Sequence, residues 1–197
     1  MKPIRKVNPI SWETCYDELH NRFSNEAHGQ CFVWINPAQS DPFNDDDFAI
    51  SRRVQMPITH PRFDRNSGPY LIHLDLASSA DEDIFRVSVE KAWDAWTIEN
   101  LEAMQGQPIC GWIAASVGPE DIAHHWARRC HLHKRGKLTR FLRFHDPGVR
   151  EWLWPCLTKN QRSALIGPAN SIHSSQLQND FSEPTCITKA RCCIAFS

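Results

Sequence analysis

Four histidines, His124, His125, His131 and His133, crowd into residues 124–133 with Cys130 among them. Imidazole and thiolate are preferred zinc ligands, and a zinc hydrolase would use such a group to activate water. A helical zinc pair needs its ligands about one turn apart, as in H-E-x-x-H, so that both reach an ion at about 2.1 Å. His124 and His131 share a face of the expected helix but stand about 10 Å apart along its axis. His131 and His133 converge only if the chain is extended there. The neighbouring Arg128, Arg129, Lys134, Arg135 and Lys137 repel a cation and suit a helix C-terminus. A solvated basic helix end is therefore the better reading, and a zinc-dependent hydrolase the alternative.

Other chemical motifs fare no better. Counted from Asp41, the sixth position of a calcium loop is Asp46, where glycine is needed, and the twelfth is Arg52, where glutamate is needed. The sequence holds no G-x-G-x-x-G, G-x-x-x-x-G-K-[ST] or G-x-S-x-G, so phosphate-cradling loops and hydrolase elbows lose support. No cofactor is implied. Arg128, Arg129, Lys134, Arg135, Lys137, Arg140 and Arg143 make residues 128–143 basic. Only Phe141 interleaves them as a stacking platform, so an RNA-binding module is a further alternative and an acidic protein partner an equally good one.

The whole chain is 197 residues with 22 lysines and arginines against 23 aspartates and glutamates, net −1. That balance argues against a nucleic-acid coat or a polybasic membrane binder. No run approaches the about 20 apolar residues of a membrane span, and the N-terminus lacks the apolar centre of a secretory signal. A soluble cytoplasmic protein is expected, with its eight cysteines mostly reduced packing groups. Eight tryptophans and ten phenylalanines must fill a core or form a surface for a partner.

These residues have to be held by regular elements. Trp12, Tyr16, Leu19 and Phe23 recur at helical spacing, with Ser11 as N-cap. Strands are expected at Cys31–Ile35, Tyr70–Asp75, Ile109–Ser116 and Thr139–Phe144, bounded by glycine and proline. Residues 38–67 read as loop with at most a brief strand. Helices are expected from Asp81 to Gln105 with a kink near Thr97, from Pro119 toward Cys130, after Asp146-Pro147, and after the capping box Thr158-x-x-Gln161. Strands alternating with helices predict an α/β fold with a small, mostly parallel sheet. The expected organisation is an N-terminal amphipathic extension over 1–28, an α/β domain over 29–145, and a helical C-terminal lobe and tail over 146–197. Phe181–Phe196 is apolar enough to pack back as a strand.

The C-terminal half then takes on a family likeness. Arg140-Phe-Leu-Arg-Phe-His-Asp-Pro-Gly-Val149, Trp154-Pro-Cys-Leu157, Asn160-Gln161 and Leu165-Ile-Gly-Pro168 resemble the type VI secretion effector chaperones, or adaptors, known as domain of unknown function 4123. Weaker matches precede them in the same order: Cys31–Asn36, Pro69–Ile72, Gly111–Ser116 and His125–Arg129. His145 stands where that family usually has tyrosine, and Gly148 where it often has a basic residue. The resemblance implies a non-enzymatic protein that binds a toxic effector in the producing cell and helps load it onto the VgrG spike. It brings no catalytic residues with it. Asp146 reads as an N-cap, Pro147 as the first helical residue, and Arg143 as a partner of Asp146, with Gly167-Pro168 closing the last helix. Arg143, His145 and Asp146 are alternatively part of a partner-facing surface. Trp152 and Trp154, two apart, cannot both face one core, so one is a candidate exposed anchor. The expected mode of action is an apolar, aromatic surface that grips and masks an apolar or helical segment of the effector.

Overall fold

The structure is a computed structural model that describes residues 11–25, 29–44, 52–59, 68–103, 106–134 and 137–174. In chain order these form α1 (Trp12–Asn25), β1 (Gln30–Ile35), β2 (Arg53–Gln55), β3 (Tyr70–Leu74), α2 (Ser79–Asp94), α3 (Ile98–Glu102), β4 (Ile109–Ala115), α4 (Pro119–Arg129), β5 (His131–Lys134), β6 (Lys137–Phe141), α5 (Pro147–Leu153), α6 (Lys159–Ile166) and β7 (Ala169–His173). Short 3-10 turns lie at Pro37–Gln39 and Trp154–Cys156.

Five strands make one sheet in the order β2-β3-β1-β4-β7. All four pairings in it are antiparallel. The expectation of a mostly parallel sheet is therefore corrected, although the fold remains α/β. The cause of the error is burial on both faces. Every residue of β4 and five of the six in β1 are buried, so these strands read as unbroken apolar runs, a pattern more typical of parallel sheets than of half-solvated antiparallel ones. Side-chain alternation divides the core. Val33, Ile35, Ile72, Trp112 and Ala114 face Leu19 and Phe23 of α1 and Phe85 and Val89 of α2. Phe32, Trp34, Leu71, Ile113 and Ile172 face Ile122 and Trp126 of α4, with Phe144, Leu165 and Ile166.

Tryptophans anchor both layers. Trp34 stacks on Trp126 at 4.2 Å between ring centroids, and Trp126 Nε1 donates to the carbonyls of Leu165 (3.1 Å) and Ile166 (3.2 Å). On the other face Trp112 Nε1 donates to Ser88 Oγ (2.8 Å). Thr97 caps α3 and separates it from α2, which is the kink expected there. The strand expected at Thr139–Phe144 is instead β6, ending at Phe141, and it pairs with β5 in a separate hairpin. β7 lies beside β4, so residues 169–173 belong to the sheet. Among the described residues no helix is long and apolar enough to cross a membrane. Asp45–Asp47, Phe181–Phe196 and the cysteines at 186, 192 and 193 fall outside the described residues. Cys15, Cys31, Cys110 and Cys130 are buried, and Cys156 is exposed.

Candidate functional site

The Asp146-Pro147 pair starts α5 for local reasons. Asp146 Oδ1 accepts from the backbone N–H groups of Gly148 (3.0 Å) and Val149 (3.3 Å), satisfying donors that the first helical turn leaves open. Proline at the next position has no N–H to satisfy and a φ already suited to the helix. α5 runs seven residues before the 3-10 turn that contains Pro155.

This helix is turned inside out. Its buried residues are Pro147 and Arg150, while Trp152 is 81% exposed and Val149 and Leu153 are half-buried. Val149, Trp152 and Leu153 make the helix amphipathic in sequence; in the structure Trp152, one of the two candidate anchors, projects into water, Val149 borders open space, and Leu153 packs in part against the α4 layer. Arg150 is the residue that sequence reasoning missed. Nothing in its spacing separates it from Arg128 or Arg129, which are exposed on α4. Its guanidinium is wholly buried and, among the described residues, meets no carboxylate in hydrogen-bonding range. Nη1 donates to the carbonyls of Phe144 (2.9 Å) and His145 (2.8 Å), and Nη2 to that of Cys110. Its plane lies over Trp34 at 5.1 Å and Phe144 at 5.8 Å, placements favourable to a cation. Burial pulls its pKa down to about 10, still high enough to keep the charge at neutral pH.

A β-bulge makes this bond possible. Trp34 pairs with Gly111 and Ile35 with Ile109, so Cys110 is the extra residue between them, and its carbonyl is taken by Arg150. Gly111 has φ +148, and a Cβ there would strike the His173 carbonyl. Burial pushes the Cys110 thiol up, and the Cys130 thiol up to about 12, which makes both poor nucleophiles. His145 is buried beside Trp34 and Phe141. Its pKa falls to about 4, first through burial and then through the charge of Arg150.

The outward stripe lines an open groove of about 500 Å³, formed by Leu142, Val149, Trp152 and Leu153 with Arg143, Asp146, Gly148 and Cys156. Arg143 Nη2 lies 3.5 Å from Asp146 Oδ2 at its lip, both partly exposed. On the other side of Asp146 a smaller polar pocket of about 240 Å³ is bordered by Asn36, Gln39 and Gln107. An apolar trough with a polar lip is suited to holding a side-chain cluster from another molecule.

The remaining predicted residues lie elsewhere. Trp154 is half-buried, packs on the α4 layer and has the Arg162 guanidinium above it at 5.4 Å. Gly167 closes α6 at φ +63, donates to the Ser163 carbonyl (3.0 Å) and leaves no room for a Cβ beside the His125 ring. Pro168 then leads into β7. His124 is exposed on α4, whereas His125 Nε2 lies 3.1 Å from the Ala164 carbonyl. His131 and His133 stand on β5, past the helix end assigned to them by the sequence reading. Among the described residues no three His, Cys, Asp or Glu side chains gather to hold a metal ion.

Comparison with known proteins places these features in context. The family model described as Domain of unknown function (DUF4123) matches residues 64–164, a span that contains β3, β4, α4, the β5–β6 hairpin, α5 and the whole groove lining. No curated protein and no solved structure matches the chain.

Proposed function

Since the chain belongs to the Domain of unknown function (DUF4123) family, we propose that it is a non-catalytic adaptor that binds a type VI secretion effector in the cytoplasm and helps load it onto the VgrG spike. The observation that carries this reading is the orientation of α5: the helix buries an arginine and presents a tryptophan that is 81% exposed. Turning the helix the other way would bury the apolar stripe and free the charge. A large aromatic left in water at the edge of an apolar trough is the composition expected of a binding hot spot, and covering it returns the apolar area that the orientation leaves exposed. The working step is association and release. Arg143 and Asp146 form the polar rim of the contact, with His145 buried behind them.

The test is co-expression of the full chain with the effector encoded beside it, followed by capture on either partner. The native chain retains the effector, and Trp152→Ala weakens retention by about tenfold or more while leaving thermal unfolding unchanged. Failure of the native chain to hold the effector, or full retention by Trp152→Ala, overturns the reading.

A further inference from the structure

From the charge laid around the groove we infer that its occupant is an acidic amphipathic helix of another protein. The inference rests on the groove being a docking site and adds what the occupant must be.

The chain is nearly neutral overall at −1, but its charges are segregated. Residues 128–143 hold Arg128, Arg129, Lys134, Arg135, Lys137, Arg140 and Arg143 and no acid. This run ends at the groove: Arg140 lies on β6, and Leu142 and Arg143 line the trough itself. Arg128, Arg129, Arg140 and Arg143 are all exposed. The groove side also carries Glu120 and Asp121 at the start of α4 and Glu151 on α5, so its excess of cations comes from the basic run. On the opposite face of the sheet the balance is reversed: α2 carries Asp81, Glu82, Asp83, Glu90 and Asp94 against Arg86 and Lys91. An acidic rim on the occupant is attracted to the groove, and a basic one repelled.

The backbone decides the occupant's secondary structure. An added strand needs a free ladder of N–H and C=O groups along the groove. Here one wall is α5, whose own backbone is helical, and at the other the Leu142 N–H donates to the Cys130 carbonyl (2.7 Å). The occupant must therefore satisfy its own backbone, as a helix does, and place apolar side chains at i, i+3 and i+4 into the trough. A nucleic acid fits less well. Phosphates laid here would offer no apolar contact to the outward sides of Leu142, Val149 and Leu153 and would meet the Asp146 carboxylate at the lip.

Fluorescence anisotropy on the full chain tests this with two labelled synthetic helical peptides of about 18 residues. Both carry leucine at i, i+3, i+4 and i+7; one has glutamate on its flanks and the other lysine. A single-stranded RNA oligonucleotide serves as the third probe. The glutamate peptide is expected to bind at least about tenfold more tightly than the lysine peptide. That preference disappears in the Arg140→Glu/Arg143→Glu variant, and Trp152→Ala weakens the glutamate peptide about tenfold. Equal affinities, tighter lysine-peptide binding, binding of neither peptide, or RNA binding that survives Trp152→Ala each overturn the inference. Effector capture that is lost in Trp152→Ala but intact in Arg140→Glu/Arg143→Glu defeats the acidic occupant while keeping the docking site. Failure of the native chain to capture any effector defeats the docking site itself.

Discussion

Arg150 shows how one side chain sets the geometry of the groove. Its fork ties together three segments, the β4 bulge at Cys110, the turn at Phe144–His145, and α5. Shortening it strands three carbonyl oxygens in an apolar setting and opens a void between Trp34 and Phe144. Unsatisfied buried polar groups cost about 1–3 kcal/mol each, so Arg150→Ala is expected to lower unfolding stability by about 3 kcal/mol or more, measured by urea denaturation. Arg150→Lys recovers part of the loss, because a point charge cannot fork onto three acceptors. A loss under about 1 kcal/mol for Arg150→Ala would mean that those carbonyls find other donors. The contrast with Asp146 explains what was legible at this scale. Asp146 bonds to N–H groups two and three residues away, and the capping box of Thr158 and Gln161 is equally local, so both are visible in the string of residues. Arg150 reaches Cys110, forty residues earlier in the chain, and no local pattern encodes that.

At the scale of elements, the positions of β1, β3, β4 and the main helices followed from apolar runs, caps and breakers, whereas strand direction and the strands β5 and β7 did not. β1 and β4 are covered on both faces, by α1 and α2 on one side and by α4 with residues 144–166 on the other. That double cover erased the alternation by which an antiparallel strand is usually recognised. In the β5–β6 hairpin the strand expected at Thr139–Phe144 overlaps β6, but β5 escaped for a different reason: its basic residues resemble a helix end. The bulge in β4 is the element-scale feature most open to test. Gly111 holds φ +148, and any Cβ there meets the His173 carbonyl of β7. Gly111→Ala is therefore strained both in its own backbone and across the sheet, and an expected loss of about 2 kcal/mol or more follows. Thermal unfolding measures it. The β7 amides should also exchange faster with solvent, since the clash separates β7 from β4. Native-like stability and unchanged exchange would show that β7 is not held against Gly111 as described.

For the whole molecule, among the described residues the two layers of the core carry one buried histidine each, which links stability to acidity. His145 lies in the layer of Trp34, and His173 in that of Phe23. Burial lowers both to about 4, aided by Arg150 for His145 and by Arg22 for His173. In the unfolded chain histidine titrates near 6.5. The unfolded state therefore binds protons first as acidity rises. The stability these residues contribute in neutral form is complete above about pH 6.5, declines as pH falls toward 4, and changes no further below that. A gap of this size is worth up to about 3 kcal/mol for each residue. His125 shifts in the same direction, through burial first. Asp81 acts lower on the scale. Burial alone would raise its carboxyl, but hydrogen bonds from Arg52 and the Asp75 N–H outweigh that and hold it below 3.8, so its contribution survives until pH falls further. Urea midpoints should consequently drop between about pH 6.5 and pH 4. Replacing each ring with a non-titrating one, His145→Phe and His173→Phe, should flatten the fall, each by a comparable share, because the two sites lie on opposite faces of the sheet and act independently. If the double variant loses stability as steeply as the native chain over that interval, the acid sensitivity arises elsewhere and the two imidazoles are not held neutral by the core.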